Sequence, residues 1–444
     1  MAIAASTTTN YAGPDLETTN TRAMAVATML FFMWGFLTCL NDILIPHLKS
    51  IFDLNYAEAM TVQFAFFSSY FVFALPSGKV VEWIGYKRSM VVGLLVMALG
   101  ALLFLPAASF ATFPLFLCAL VVLAAGITLL QVAANPYVAN LGPQRTASSR
   151  LNLSQAFNSL GTTVAPYFGA AVILSAATLT PERLRTLSGA ALQTYREQQA
   201  STVRLPYAGI ALALILLAVA LAVIKLPSMS FTQEIRPGEM DTTPVHDSLF
   251  RHPQLLLGAL GIFLYVGAEV SIGSFLVNYF SVPEIGHMTE VDAAHLVTYY
   301  WGGAMMGRFI GSWLLTKVRT SRLLALAAVI AAVLVCTSML TFGHVAVWSI
   351  LAVGLFNSIM FPSIFTLGLE GLGPLTSRGS SLMVAAIVGG AILPVAQGAI
   401  ADKIGVHHAF FIPAACYLYI ALFGLTRKRT VHEERARAAK ALAT

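Results

Sequence analysis

Residues 126–166 read GITLLQVAANPYVANLGPQRTASSRLNLSQAFNSLGTTVAP, two apolar segments joined by a short basic turn. Each segment carries a pair of amides: Gln131 and Asn135 lie four residues apart, and Gln155 and Asn158 lie three apart. On a helix, these spacings put each pair on one face. Within a bilayer, such a polar face must look toward protein or water. The stretch therefore predicts two membrane helices whose amide faces point into the protein.

The amide faces have two interpretations. Amides both donate and accept hydrogen bonds, and without a carboxylate between them they suit a neutral polyhydroxyl ligand such as a sugar. The alternative is that they hold helices together, with each hydrogen bond contributing about 0.6 kcal/mol. For any single amide the second interpretation stays open, but the recurrence of the pairs on two successive helices favours a ligand site.

The composition is that of a polytopic helical membrane protein. The chain has 444 residues, of which 57% are hydrophobic and 10% charged, with a mean hydropathy of +0.77, whereas soluble domains have about 25% charged residues. Four isolated cysteines show neither metal-ligand nor disulfide spacing. Twelve apolar segments are predicted to span the membrane, at roughly 23–46, 60–83, 89–108, 113–140, 151–177, 206–226, 253–281, 292–316, 323–341, 345–369, 379–401 and 407–426.

The basic residues predict the topology. With both termini placed inside, all but six of the 26 Lys and Arg residues fall on the cytoplasmic side, as the positive-inside rule requires. The net charge of +6 is therefore attributed to topology and not to nucleic-acid binding. We expect a multi-pass protein of the bacterial inner membrane with both termini in the cytoplasm.

The chain is predicted to consist of two pseudo-symmetric six-helix bundles, an all-α membrane fold. A polar stretch near the middle separates the two sets of helices. Gly126, Arg150, Gly161 and Pro166 recur in the second half, in the same order and at one constant offset, as Gly354, Arg378, Gly389 and Pro394. The predicted units are a cytoplasmic tail at 1–22, bundles at 23–226 and 253–426, a cytoplasmic linker at 227–252 and a cytoplasmic tail at 427–444.

Two carboxylates lie well inside apolar segments, Asp42 in the first helix and Glu269 in the seventh. Nearly the same offset separates them as separates the repeated glycines, so the repeat makes them pseudo-equivalent across the axis between the bundles. An ionised carboxylate at the bilayer centre costs about 2.5–3.5 kcal/mol. Because the sequence suggests no Lys or Arg at that depth, we expect both to bind protons. The alternative is a structural hydrogen bond to a neighbour such as Asn41.

A charged turn joins the second and third segments, GKVVEWIGYKR at 78–88, and GRFIGSWLLTK at 307–317 is its counterpart in the second half. One interpretation is a simple cytoplasmic anchor. The repeat favours a latch in both halves that holds the bundles in one orientation, with Glu82 paired to basic residues of its own turn or of the opposite bundle. The predicted latch residues are Gly78, Glu82, Gly85, Lys87, Arg88 and Arg308.

Several motifs resemble the fucose/glucose/galactose:proton symporter branch of the major facilitator superfamily: WGFLTCLND (34–42), QVAANPYVANLGP (131–143), RLNLSQAFNSLG (150–161), YVGAE (265–269) and FPSIFTLGLEGLG (361–373). The resemblance implies proton coupling at Asp42 and a sugar site that includes Gln155 and Asn158. Fucose-type members have a glutamate in place of Gln131 and a glutamine in place of Glu269. This difference suggests that the second carboxylate lies in the opposite half of the cavity.

From these observations we predict a proton-coupled sugar importer that works by alternating access and is not an enzyme. Its substrate is a hexose or related sugar such as glucose, galactose or N-acetylglucosamine. Its expected partners are the sugar, protons and the bilayer, with no nucleic acid and no cofactor besides the proton gradient, and it is expected to be monomeric. The predicted substrate-binding residues are Asn41, Gln131, Asn135, Gln155, Asn158, Glu269, Asn278, Asn357, Trp34 and Phe361. The alternatives are a proton-coupled drug or metabolite antiporter, a Na⁺-coupled or uncoupled sugar carrier, and a sugar sensor.

Overall fold

The structure is a computed structural model that describes residues 18–52, 56–110, 112–172, 204–227 and 248–426, together with positions 189, 191, 194 and 195. Side chains at 40–61, 63, 169–172 and 290–291 lie outside this description. The predicted inner linker and both predicted tails fall almost entirely outside the described residues, so the domain boundaries stay a prediction.

In the first half, the described residues form six helical segments. They are α1 (Thr21–Phe52), α2 and α3 (56–84 and 86–110), α4 (Phe113–Ala139), α5 (Ala147–Val172) and α6 (Arg204–Val223).

In the second half, the described residues form six more segments, and three of these are interrupted. They are α7 (Pro253–Ser281), α8 (Glu290–Lys317), α9 (Thr320–Leu340), α10 (Gly343–Asn357 and Met360–Leu369), α11 (Thr376–Ala385 and Gly389–Ile404) and α12 (Val406–Ala409 and Phe411–Thr426).

The turn between α2 and α3 depends on one glycine. The helical hydrogen bonding runs almost without interruption from Tyr56 to Phe110, and only Gly85 departs from helical geometry, with φ 78° and ψ 167°. Residues with a side chain rarely adopt a positive φ, whereas glycine adopts it readily. Gly85 thus separates two membrane helices at the charged turn that the sequence identifies.

Nine stretches of the described residues are long and apolar enough to cross a membrane. One of them, Phe64–Phe110, contains most of both α2 and α3. The helices α5 and α8 are not among the nine, and they are also less apolar than their neighbours. The twelve predicted spans are consistent with this pattern, because the two less apolar helices carry many polar residues, the amides and hydroxyls of α5 and Arg308 with its neighbouring polar residues in α8.

The sequence repeat is also a packing repeat. A Cβ atom added to Gly161 of α5 would overlap the carbonyl oxygen of Phe32 in α1. One added to Gly389 of α11 would overlap the carbonyl oxygen of Phe263 in α7. The pairs α5–α1 and α11–α7 are therefore equivalent close contacts, in which glycine lets two helix backbones approach.

The two halves meet at the end of the bundle that contains the turns 85–88, 140–146, 317–320 and 370–375. The first three of these turns carry the basic residues Lys87, Arg88, Arg145, Lys317 and Arg319, and we call this end the basic end. Asn152 Nδ2 of α5 donates to the Arg308 carbonyl of α8 at 2.8 Å, and Ser380 Oγ of α11 donates to the Val132 carbonyl of α4 at 2.8 Å. Asn152 and Ser380 are related by the same offset as the repeated glycines. The donors are therefore pseudo-equivalent, but the acceptors are not, because Arg308 lies on α8 and Val132 on α4. Both hydrogen bonds join the two halves at the basic end.

Candidate functional site

An ion pair lies inside the second half. Arg308 Nη2 of α8 is 3.9 Å from Glu269 Oε1 of α7, and the two side chains are 14% and 13% exposed. Tyr265, one helical turn before Glu269, donates its hydroxyl to the same oxygen at 2.8 Å. The expectation that no basic residue reaches this depth is wrong. Helix α8 continues beyond Arg308 to Lys317, which places Arg308 about 13 Å along the axis from the helix end.

A buried polar cluster surrounds the carboxylate. Tyr300 of α8 and Tyr417 of α12 lie close enough to Glu269 to interact with its charge. Asn357 of α10 donates Nδ2 to the Tyr300 hydroxyl at 2.7 Å, and Tyr300, Tyr417 and Asn357 are fully buried. The sequence analysis placed Asn357 in the site but missed Tyr300 and Tyr417, because they look like ordinary aromatic residues of apolar segments.

The guanidinium of Arg308 also contacts the first half. Its Nη1 donates to the hydroxyl of Ser159 and, at 3.4 Å, to the carbonyl oxygen of Gln155, both on α5. One side chain therefore contacts α5 of the first half and α7 of the second. Arg308 lies in the interior between the halves, so the expected position at the surface is wrong. Its contacts with both halves are compatible with the predicted latch role, which stays a prediction.

Amides of α4 in the first half have unused hydrogen-bonding capacity. Gln131 donates Nε2 to the Tyr70 hydroxyl of α2 at 2.9 Å. Among the described residues, Gln131 Oε1 and both amide atoms of Asn135 are buried without a hydrogen-bond partner. A buried polar atom without a partner costs about 1–3 kcal/mol. We therefore expect water or a ligand at these atoms.

The amides of α5 have different surroundings. Asn158 donates Nδ2 to the carbonyl oxygen of Phe31 in α1 at 3.0 Å, and a Cβ on the neighbouring Gly35 would lie 2.7 Å from the same nitrogen. Asn158 therefore packs α5 against α1 in this state. Gln155 is buried, and its backbone carbonyl contacts Arg308.

The other predicted site residues are divided between packed and peripheral positions. Trp34 is buried against Phe31, with ring centroids 4.9 Å apart, and Phe361 stacks on Phe365 at 5.8 Å. Asn278 is exposed and lies about two and a half turns beyond Glu269, on the opposite face of α7.

The structure does not bring Asn278 to the cluster, and its assignment to the site is wrong for this state. Asn41 and Asp42 belong to the continuous helix α1, but their side chains lie outside the described residues.

A second ion pair joins the halves at the basic end. Arg378 Nε of α11 is 2.6 Å from Glu82 Oε1 of α2, its Nη2 is 3.3 Å from Oε2, and Ser377 Oγ donates to Oε1 at 3.2 Å. Gly78, one turn before Glu82, is buried where an added Cβ would lie 2.7 Å from Ser381 Oγ. Glu82 therefore pairs with the opposite bundle.

The remaining latch residues stay within the first half. Lys87 Nζ donates to the Ala222 carbonyl at the end of α6, and Arg88 is exposed. The second half does not repeat the Glu82 ion pair, because Gly311 occupies the position equivalent to Glu82 and offers no carboxylate. Arg150, the counterpart of Arg378, instead donates to carbonyl oxygens at the end of α4, among them that of Gly142 at 3.0 Å.

Two repeated helical halves, sealed at one end around a buried ion pair and unpaired amides, define a secondary transporter of the alternating-access type. The chain belongs to the Major Facilitator Superfamily, whose family model matches residues 24–387.

Among curated proteins, the chain is 54% identical over 403 residues to a glucose/galactose transporter of Brucella abortus biovar 1 (strain 9-941), covering 91% of this chain and 93% of that one. It is 34% identical over 431 residues to the L-fucose-proton symporter of Escherichia coli (strain K12), covering 95% and 98%. Among solved structures it is similar to a Major Facilitator Superfamily transporter, FucP, in the outward conformation. The TM-score is 0.83 at 35% identity, with 92% of this chain and 99% of that chain covered.

Proposed function

We propose that this chain is a proton-coupled hexose importer of a bacterial inner membrane, which acts as a monomer and uses the proton gradient as its energy source. The observation that carries the proposal is the position of Glu269, a titratable carboxylate held at the boundary between two pseudo-symmetric halves. The relatives named above are a glucose/galactose transporter and an L-fucose-proton symporter. Glucose and galactose are therefore the first substrates to test.

The sugar site is proposed to lie between the two halves. Gln131 and Asn135 offer unused amide atoms from the first half. Glu269 and Tyr265 offer a carboxylate and a hydroxyl from the second. A sugar hydroxyl both donates and accepts, so these amides and the carboxylate can bind neighbouring hydroxyls of one ring. With groups from both halves in one site, sugar binding would favour one relative orientation of the halves.

The orientation follows from the basic residues. If the basic end faces the cytoplasm, as the positive-inside rule requires, the structure is closed toward the cytoplasm. It then represents the state that receives sugar from outside. The cross-half contacts Asn152–Arg308, Ser380–Val132 and Glu82–Arg378 support this assignment. The similar FucP structure, whose described state is outward, supports it as well.

Proton coupling is proposed to involve Glu269 together with Asp42. An ionised carboxylate resists passage through an occluded, dry state, whereas a protonated one passes more easily. Binding of sugar and proton together therefore permits the inward transition. After the proton has left, the ion pair with Arg308 compensates the charge of the ionised Glu269, which allows the empty carrier to return.

The test is uptake of radiolabelled sugars into vesicles that contain the purified protein. A panel of glucose, galactose, N-acetylglucosamine, fructose and fucose is compared with and without an inward pH gradient. We expect accumulation of glucose or galactose only with the gradient, and its loss when a protonophore is added. Accumulation driven by a Na⁺ gradient alone, or equilibration that ignores both gradients, would overturn the proton assignment.

A further inference from the structure

We propose that Arg308 transmits the charge of Glu269 to the seal at the basic end, so that protonation of Glu269 opens this end. The proposal rests on the proposed function, because it assigns a step of proton coupling to one residue. It concerns how the two halves sense the proton and not which sugar is carried.

The geometry places Arg308 at a junction. Its Nη2 faces Glu269 at 3.9 Å within the second half, while its Nη1 donates to Ser159 and to the Gln155 carbonyl in the first half. Its own backbone carbonyl accepts from Asn152 of α5 at 2.8 Å. The side chain and the backbone of one residue therefore both contribute to the contact between α5 and α8.

The charges of the two groups respond differently to pH. A guanidinium stays protonated in proteins, whereas a carboxylate can be neutralised. While Glu269 is ionised, its charge compensates that of the largely buried Arg308 and keeps this side chain at the contact between α5 and α8. Once Glu269 takes up a proton, Arg308 has no other counter-ion among the described residues, and an uncompensated cation is strongly unfavourable in a low-dielectric interior.

Opening of the basic end lowers the free-energy cost of the uncompensated Arg308 charge. Separation of α5 from α8 would admit water to the guanidinium, whose Nε already lacks an acceptor among the described residues. The protonated carrier therefore favours the state open at the basic end, and the deprotonated carrier favours the sealed state. This sign matches import, in which a proton is taken up outside and released inside.

Among the described residues, few other titratable groups lie near Glu269. Tyr265 of α7 bonds to it, and Tyr300 of α8 and Tyr417 of α12 lie near it. Helices α10 and α11 carry charged or titratable residues only toward their ends. The side chain of Asp42 on α1 lies outside the described residues, so the experiment neutralises it to isolate Glu269.

The experiment measures distances between spin labels at Gln144 and Lys317, which are exposed on opposite halves at the basic end. The chain carries Asp42→Asn and replacements of its four native cysteines. With Arg308 present, acidification from mildly alkaline to mildly acidic buffer is expected to raise the long-distance, open population about tenfold, a shift of roughly 1.4 kcal/mol. Glu269→Gln should fix the open population at its acidic value.

Arg308→Gln should remove the pH dependence, and Arg308→Lys, which keeps the charge without the forked donors, should retain part of it. Arg322→Gln, an exposed change at the same end, is the matched control and should leave the response intact. If Arg308→Gln folds and still shows the full pH response, the proposal is overturned. If it shifts the distances equally at every pH, Arg308 has only a packing role, and the proposal is again overturned.

These distances are read without sugar, so the result is separate from the proposed function. If the parent protein shows no proton-driven uptake of any sugar but does show the pH response through Arg308, the transport assignment fails and the coupling survives. If the Arg308→Gln variant shows the same proton-driven uptake as the protein without this change, the role of Arg308 in coupling is rejected and the transport assignment survives.

Discussion

Arg378 Nε lies 2.6 Å from Glu82 Oε1, and this ion pair joins α11 of the second half to α2 of the first. Arg150, the counterpart of Arg378 in the repeat, makes no corresponding cross-half ion pair among the described residues, because the position equivalent to Glu82 is Gly311. The repeat therefore preserves the arginine and changes its partner. One half contributes a surface latch, while the basic residue of the other half, Arg308, lies in the interior.

Replacing Glu82 by Gln should weaken the sealed state slightly. The Arg378 and Glu82 side chains are 52% and 25% exposed, and exposed ion pairs contribute about 0–1 kcal/mol. We expect the open population at the basic end to rise by up to about fivefold, as read from spin-label distances. Glu284→Gln, an exposed change near the opposite end, is the control, and distributions identical to the parent would remove the latch role.

The close helix contacts at the repeated glycines make a stability prediction. Gly389→Ala should lower the melting temperature and the yield of folded protein, because the added carbon would overlap the Phe263 carbonyl. Gly302→Ala is the matched control, since nothing lies within 4 Å of its added carbon and a helical Gly→Ala change is otherwise stabilising by about 0.5–1 kcal/mol. Equal melting temperatures for the two variants would contradict the packing assignment.

The amides of α4 and α5 should behave differently on substitution. Asn135→Ala is expected to weaken sugar binding about 5- to 150-fold, because a sugar hydroxyl loses its partner. Asn158→Ala should chiefly lower thermal stability, because Asn158 bonds to the Phe31 carbonyl. Calorimetric titration and melting curves of both variants test this assignment. If Asn135→Ala leaves the affinity for the sugar unchanged, Asn135 has a packing role and does not bind the sugar.

The sequence predicted the features that depend on local pattern. Apolar segments predicted the described helices to within a few residues, and the constant offset of the repeat identified the glycines that pack α5 on α1 and α11 on α7. These features follow from composition and from backbone approach, both of which are properties of single segments.

The sequence could not predict contacts between helices that are distant in the chain. The Arg308–Glu269 pair depends on where α8 lies beside α7, and the GRFIG motif looked like a surface turn because its charges resembled those at 78–88. Asn278 is a different case, because its nine-residue spacing from Glu269 already puts it on the opposite face of α7, so the sequence could have excluded it. Depth and azimuth of a side chain in a bundle are set by packing and not by spacing alone.

The two carboxylates make the prediction that decides the mechanism. Asp42→Asn resembles a permanently protonated residue, so it should still bind sugar and exchange it between two sugar-loaded sides, while it loses accumulation driven by a pH gradient. Glu269→Gln should behave in the same way if Glu269 carries the proton. It should mainly weaken binding if its oxygens accept sugar hydroxyls, because a hydrogen bond to a charged group contributes about 1.5–3 kcal/mol.

Counterflow and pH-driven uptake of labelled sugar in the same vesicle preparation separate these outcomes. Asp292→Asn, which changes an exposed carboxylate at the start of α8, is the control and should retain both activities. Retained counterflow with lost accumulation in both variants assigns the proton to the pair. Because the Arg308 guanidinium faces Glu269, Glu269→Gln should also make counterflow insensitive to external pH. Undiminished accumulation by Asp42→Asn would remove that residue from coupling and leave Glu269 as the proton carrier to test.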